Sequence, residues 1–265
     1  MDLQKQARAS GRSTNELHVL YVLEGFLARL SVSSAKDDFV LKGGVLLAAF
    51  GERRPTSDID VTAFISNEIP AVLEHIRSVL RTTPPADDGI VFDLDSLTGE
   101  VIREEAEYSG VRVHVGATLA RARVRFHVDV SFGDPIYPGP EIVYLPRLLG
   151  GEDIVLAGYP IHMTLAEKIV TAVQRGTAST RWRDFGDIWI LARHHEIPGE
   201  ALQTAITTVA QYRNADYGRS PTNLAALTPS AKLVGRRGGN NRTFRFCPRR
   251  SVTWLTLSSS SQNHP

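Results

Sequence analysis

An α/β protein is the fold class this sequence predicts, and three features carry it. Residues Phe39 to Phe64 read as strand, glycine turn, short helix and second strand; Val101 to Phe132 hold three further β-like runs; and from Thr164 onward the apolar spacing turns helical. With 265 residues, 42% of them hydrophobic, the chain can bury one sizeable core or two small lobes.

Composition narrows the class further. The single cysteine, Cys247, excludes an internal disulfide and a Cys-based zinc site, and fits a reducing compartment, so the cytoplasm is expected. The most apolar early run, Leu17 to Leu30, is short and interrupted by Glu24 and Arg29, so neither a signal peptide nor a membrane span is expected. The net charge of +1 conceals an asymmetry. From Arg213 to the end there are nine basic residues and one acid, which leaves 21 basic against 28 acidic residues, net −7, in the region before it. Charge alone therefore does not mark the body of the chain as a nucleic-acid binder, though it leaves room for a local basic face.

The first ten residues are polar and are expected to be loose. Ser13-Thr14-Asn15-Glu16 has the form of a capping box, with Leu17, Leu20, Leu23, Leu27 and Leu30 at helical spacing behind it. A polar loop, Ser31 to Asp38, leads into the Phe39-Val40-Leu41 strand. After the second strand, Pro70 to Leu80 has the spacing of a surface helix, ended by Pro84-Pro85-Ala86-Asp87-Asp88-Gly89, where the two acids read as a solvated turn. The runs Val101 to Glu107 and Arg112 to Leu119 suggest a hairpin turning at Ser109-Gly110. In the third run, Val124 to Phe132, parity puts Phe126, Val128, Val130 and Phe132 on one face and His127, Asp129 and Ser131 on the other. Pro135 to Gly158, rich in Pro and Gly, reads as a connection into a second, helical part. There Thr164-Leu165-Ala166-Glu167 again has capping-box form, Leu165, Ile169, Ala172 and Val173 make a core stripe, a second helix holds Asp184, Asp187, Ile188 and Leu191, and a third runs from Glu200 to about Tyr212. The expected organisation is 1–150, 151–216 and a basic tail, 217–265.

Chemistry concentrates in Asp58-Ile59-Asp60-Val61. Residues i and i+2 of a strand share a face, so the two carboxylates point the same way, roughly 7 Å apart at Cα. Two acids aimed at one spot repel unless a cation lies between them, and Mg²⁺ takes carboxylate oxygens while leaving room for substrate phosphates. Gly43-Gly44 at a helix start offers side-chain-free N–H groups to an anion. A phosphate cradle beside an acid pair points to nucleotide chemistry, although either motif alone is common in ordinary turns and strand ends.

The order Lys42-Gly43-Gly44, then Arg54-Pro55-Thr56-Ser57-Asp58-Ile59-Asp60, resembles the signature of the nucleotidyltransferase (polymerase β-like) superfamily, in the variant written by the AbiEii toxins, a branch that includes the MenT toxins. A second stretch is similar to that family's helical half: Leu165-Ala166-Glu167-Lys168, Arg175-Gly176, and Thr180-Arg181-Trp182-Arg183-Asp184-Phe185-Gly186-Asp187. The resemblance covers most of residues 39–190. It implies a mixed nucleotidyltransferase sheet with flanking helices and a helical C-terminal lobe. It implies Mg²⁺ (or Mn²⁺) on Asp58, Asp60 and a third carboxylate, Asp129, with Gly43, Gly44 and Ser57 on the phosphates of a nucleoside triphosphate. It also implies Lys168 at the triphosphate and Asp184 on the facing helix; without it, those two would be a surface pair. His127 is left without a role. The implied acceptor is the 3′ end of tRNA, whose modification stops translation, with a separately encoded antitoxin restraining the toxin and no membrane partner.

Two rivals stand beside that reading. One is a small-molecule nucleotidyltransferase of the aminoglycoside-modifying kind, which the net −7 body allows. The other is a non-enzymatic binding protein on the same scaffold, against which the intact acid pair argues. The tail departs from the helical ending of the family; its clustered Arg with Phe244 and Phe246 suits either an RNA-contacting segment or a non-homologous end.

Overall fold

The computed structural model describes residues 2–104, 108–175, 182–214 and 243–244. Seven strands form one mixed sheet in the order β3-β4-β5-β2-β1-β7-β6: β1 Phe39–Lys42, β2 Asp58–Ala63, β3 Ile90–Glu104, β4 Tyr108–Leu119, β5 Ala122–Phe132, β6 Glu141–Leu145 and β7 Ile154–Gly158. The β2–β5 and β1–β7 pairs are parallel and the others antiparallel. The helices are α1 Asp2–Ser10, α2 Thr14–Val32, α3 Gly43–Leu46, α4 Ile69–Arg81, α5 Ile161–Arg175, α6 Trp182–His194 and α7 Gly199–Tyr212. A two-residue strand, β8 Ile197–Pro198, pairs with β9 Thr243–Phe244.

Parity builds the core as expected in β5: Phe126, Val128 and Val130 are buried while Arg125 is exposed. Burying each such side chain stabilises the fold by about 1.5–3 kcal/mol relative to exposure. Against that face pack α2 and α4, through Phe26 on Phe126 and through Val72 and Ile76 in the same cluster. Ser13 caps α2, its hydroxyl accepting from the Glu16 N–H at 3.1 Å, but the Glu16 carboxylate takes Arg12 and does not close the box. Among the described residues no helix is long and apolar enough to cross a membrane.

Several expectations are corrected. The first ten residues form α1, because Leu3 and Ala7 fall on one face and bury it. Asp88 is no solvated turn acid: it receives two bonds from Arg29 of α2, at 2.5 and 3.1 Å, which gives that buried guanidinium its counter-charge. The β3–β4 reversal falls between Glu104 and Tyr108, so Ser109 and Gly110 lie in the strand. Residues Pro135 to Gly158 are not only a connection, since β6 and β7 extend the sheet and position 150 sits between two paired strands. Thr164 is no cap but lies inside α5, which begins at Ile161. The main core takes in Met163, Ala166 and Val170 of α5 and Ala205, Ile206 and Val209 of α7, while Leu165 and Leu191 join Leu47 in a smaller cluster. The tail, apart from β9, lies outside the described residues, as do Gly176, Thr180, Arg181 and Cys247.

Candidate active site

The turn between β1 and α3 is folded onto Asp60. Gly43 has φ +69°, a left-handed conformation natural only to glycine, and a Cβ there would stand 1.8 Å from Asp60 Oδ2. The Gly44 N–H donates to the Asp60 carboxylate. This group was expected to face a phosphate, and α3 behind it is a single turn. Around Gly44 the space is also closed: a Cβ would lie 2.9 Å from Thr56 Oγ1 and 3.2 Å from Arg54. The Thr56 hydroxyl donates to Asp58. Ser57 is exposed in the bend just before β2.

Parallel pairing brings the third carboxylate alongside. Asp60 is in register with Asp129, and Asp58 with His127, so the polar face carries all three acids on two adjacent strands. Burial pushes the Asp60 carboxyl up to about 7, helped by the charges of Asp58 and Asp129; Lys42 and the Gly44 N–H offset part of this. Asp129 is held: Arg112 of β4 donates from Nε and Nη2 to its two oxygens, both at 2.7 Å. His127 Nε2 lies 3.9 Å from Asp58 and 3.8 Å from Asp129.

The donor set fits a hard divalent cation. Asp58 and Asp60 offer carboxylate oxygens, and the burial of Asp60, with the charge of Asp58 beside it, disfavours its ionised form until a positive charge arrives. Among the described residues no group of three or more His, Cys, Asp and Glu side chains is gathered closely enough to hold an ion.

A second charged cluster ties this strand pair to the helices. Lys168 Nζ, buried on α5, donates to Asp184 at 3.1 Å and to Asp187 at 2.7 Å, so both acids of α6 meet it. Asp187 also accepts two bonds from Arg54 Nε, at 2.9 and 3.1 Å. Arg54 thus links the Gly44 turn to α5 and α6. Lys42, in register with Asp60, pairs instead with Asp134 and lies 3.7 Å from Glu167 of α5. Burial disfavours its charge, but the two acids outweigh that and hold its pKa well above the usual lysine value. Burial likewise pushes Asp134 up, yet Lys42 and the Ser131 hydroxyl bring its carboxyl below the ordinary range.

Of the expected residues, Asp58, Asp60, Asp129, Gly43 and Gly44 are brought together on one side of the sheet, and Lys168 and Asp184 meet each other. Sequence reasoning gave no role to Arg54, Thr56, Arg112 and Asp187. Arg54, Thr56 and Asp187 stood inside the motif stretches and were visible there; Arg112, on a separate strand, was findable only through register.

The carboxylate strand pair, the glycine turn closed on it and the mixed sheet together form a nucleotidyltransferase fold. MenT4, a nucleotidyltransferase toxin from Mycobacterium tuberculosis H37Rv, shares it with a TM-score of 0.55 at 18% identity, over 87% of this chain and 78% of that one. JHP933 from Helicobacter pylori aligns with a TM-score of 0.48 at 14% identity, over 76% of this chain and 81% of its own. No curated protein matches the chain. The family model for the nucleotidyl transferase AbiEii toxin of type IV toxin–antitoxin systems matches residues 25–248, and the chain belongs to that family.

Proposed function

We propose that this toxin transfers a nucleotidyl group from a nucleoside triphosphate to the 3′ end of tRNA in the cytoplasm, stopping translation until an antitoxin restrains it. The observation that carries the reading is Asp60, a carboxylate wrapped by the Gly43-Gly44 turn and raised to about 7 beside Asp58 and Asp129. So placed, it is poised to gain a cation.

Asp58 and Asp60 would hold Mg²⁺ or Mn²⁺, with Asp129 as the third carboxylate. Bound there, the ion would make the acceptor hydroxyl a better nucleophile and offset charge gathering on the transferred phosphate. The hydroxyl oxygen forms a bond to the α-phosphorus while the bond to the β-phosphate oxygen breaks and pyrophosphate leaves. Asp129 lies alongside Asp60 to receive the hydroxyl proton, and Arg112 steadies its orientation. Ser57, exposed just before the strand, offers its hydroxyl to the phosphates, while Gly43 and Gly44 hold Asp60 in place beside them. Lys168 would neutralise triphosphate charge, with Asp184 and Asp187 sharing its ammonium until the donor arrives. Incubating the purified protein with each labelled nucleoside triphosphate, Mg²⁺ and total tRNA tests this: label on tRNA is expected. Label on a small-molecule acceptor alone would reject the acceptor, and no transfer to any acceptor would reject the enzyme.

A further inference from the structure

The polar face that carries Asp58 and Asp60 does not end with them. Toward the C-terminal ends of β2 and β5 it is covered: Thr62 is fully buried and bonded to Tyr159 at 2.8 Å, and Tyr212 of α7 donates to the Phe132 carbonyl. In the other direction it opens. Along β5 the same-face residues are Asp129, His127, Arg125 and Arg123, the last two exposed. They stand roughly 7 Å apart by strand rise, beginning beside the register neighbour of Asp58. Arg121 follows at the hairpin. The side chains of Arg121, Arg123 and Arg125 make no hydrogen bond or ion pair with any described residue. By contrast Arg112 and His114 on β4 are matched by Asp129 and Glu100.

Beside Arg125 the sheet surface is hollowed. The β3–β4 register shifts between Asp93 and Thr98, and this bulge folds Ser96 back over Gly116, whose N–H donates to Ser96 Oγ at 3.0 Å. A Cβ on Gly116 would lie 2.7 Å from that oxygen, so only glycine lets Ser96 pack down on β4 here. The result is an open depression of about 280 Å³ lined by Ser96, Thr98, His114, Gly116 and Arg125. It lies in the row Asp58–His127–His114–Thr98, two strands from Asp58 and therefore roughly 10 Å away.

We infer that this open face of β3, β4 and β5 is the track for the acceptor strand of a single-stranded RNA end, with Arg123 and Arg125 on its phosphates and the Ser96–His114 depression holding one of its bases. Charge selects the occupant. In a region that is net −7, a line of unpaired arginines leading to the acid pair is complementary to a polyanion and repels a cationic drug. The depression adds what a base needs: the His114 imidazole to stack on, and the Thr98 hydroxyl to meet its polar edge. The inference rests on the RNA-directed reading and adds where the acceptor lies.

The test compares full-length wild type with Arg123→Gln/Arg125→Gln, exposed changes on the strand surface, and with Arg77→Gln on α4 across the sheet as control. Transfer to total tRNA and anisotropy of a labelled single-stranded RNA oligonucleotide are measured across a salt series. The double variant is expected to raise the RNA KM about tenfold and to flatten the log–log salt slope by about 1.4, two phosphate contacts at roughly 0.7 each, with the nucleoside triphosphate KM unchanged. The charge-preserving pair Arg123→Lys/Arg125→Lys should keep the wild-type slope. Unchanged RNA KM and slope in the glutamine double variant, while wild type still labels tRNA, would overturn the track alone. A raised triphosphate KM would assign the face to the donor and overturn it too. A wild type that labels only a small molecule would overturn the RNA reading and the track with it.

Discussion

Gly43 and Asp60 occupy the same small volume: a Cβ on residue 43 would fall 1.8 Å from Asp60 Oδ2. The turn and the acid are therefore one device, the glycine leaving the room that the strand's second carboxylate fills. Gly43→Ala should cost both the left-handed backbone, about 1–2 kcal/mol, and displacement of Asp60. Gly51 provides the comparison, since its φ is +80° with nothing within 4 Å of its Cβ position. Urea denaturation should show Gly51→Ala losing about 1–2 kcal/mol and Gly43→Ala clearly more, with transfer lost only in the latter.

Asp60 should give the metal-free protein an inverted pH response. Its folded pKa is about 7 against an ordinary 3.8, so between those values the folded state keeps a proton that the unfolded chain has released. The contribution is absent below about pH 4, grows as pH rises, and is fully destabilising above 7. In EDTA, the melting temperature of wild type should fall from pH 5 to pH 8 relative to Asp60→Asn, and added Mg²⁺ should recover more stability at pH 8 than at pH 5. Parallel pH curves for the two proteins would refute the assignment.

Asp187 should matter more to stability than Asp184. Asp187 is 4% exposed and answers both Arg54 and Lys168, so its removal leaves two cations short of a partner. Breaking such a buried network costs about 3–5 kcal/mol. Asp187→Ala should therefore lower unfolding free energy by about 3 kcal/mol, and Asp184→Ala by about 1. Equal losses would mean that Asp187 is not the hub.

These residues show what the sequence could disclose. Asp58, Asp60 and the parity of β5 were legible because strand alternation is local, and Gly43-Gly44 because glycine pairs punctuate turns. That Gly44 would commit its N–H to Asp60, that Arg112 would clamp Asp129, and that Arg29 would claim Asp88 depend on contacts spanning 16, 17 and 59 residues, which no local pattern encodes. β6 and β7 were missed for a different reason: their Pro and Gly neighbours, Pro140 and Gly151 among them, mark turns between strands and read equally well as a linker.

Growth supplies a cellular counterpart. Expression of the wild-type chain without its antitoxin should arrest growth, whereas Asp60→Ala should not. Arrest that persists in the variant would indicate a cause other than catalysis, such as aggregation.

The central claim is that Asp58 and Asp60 hold the ion through which a nucleotide is passed to RNA. Its most direct test is label transfer from nucleoside triphosphates to total tRNA by wild type, Asp58→Ala and Asp60→Ala, each with Mg²⁺ and with EDTA. Wild type with Mg²⁺ should label tRNA, and every other combination should fall at least a hundredfold, with circular dichroism showing both variants folded. Transfer by either folded variant at the wild-type rate, or transfer undiminished in EDTA, would contradict it.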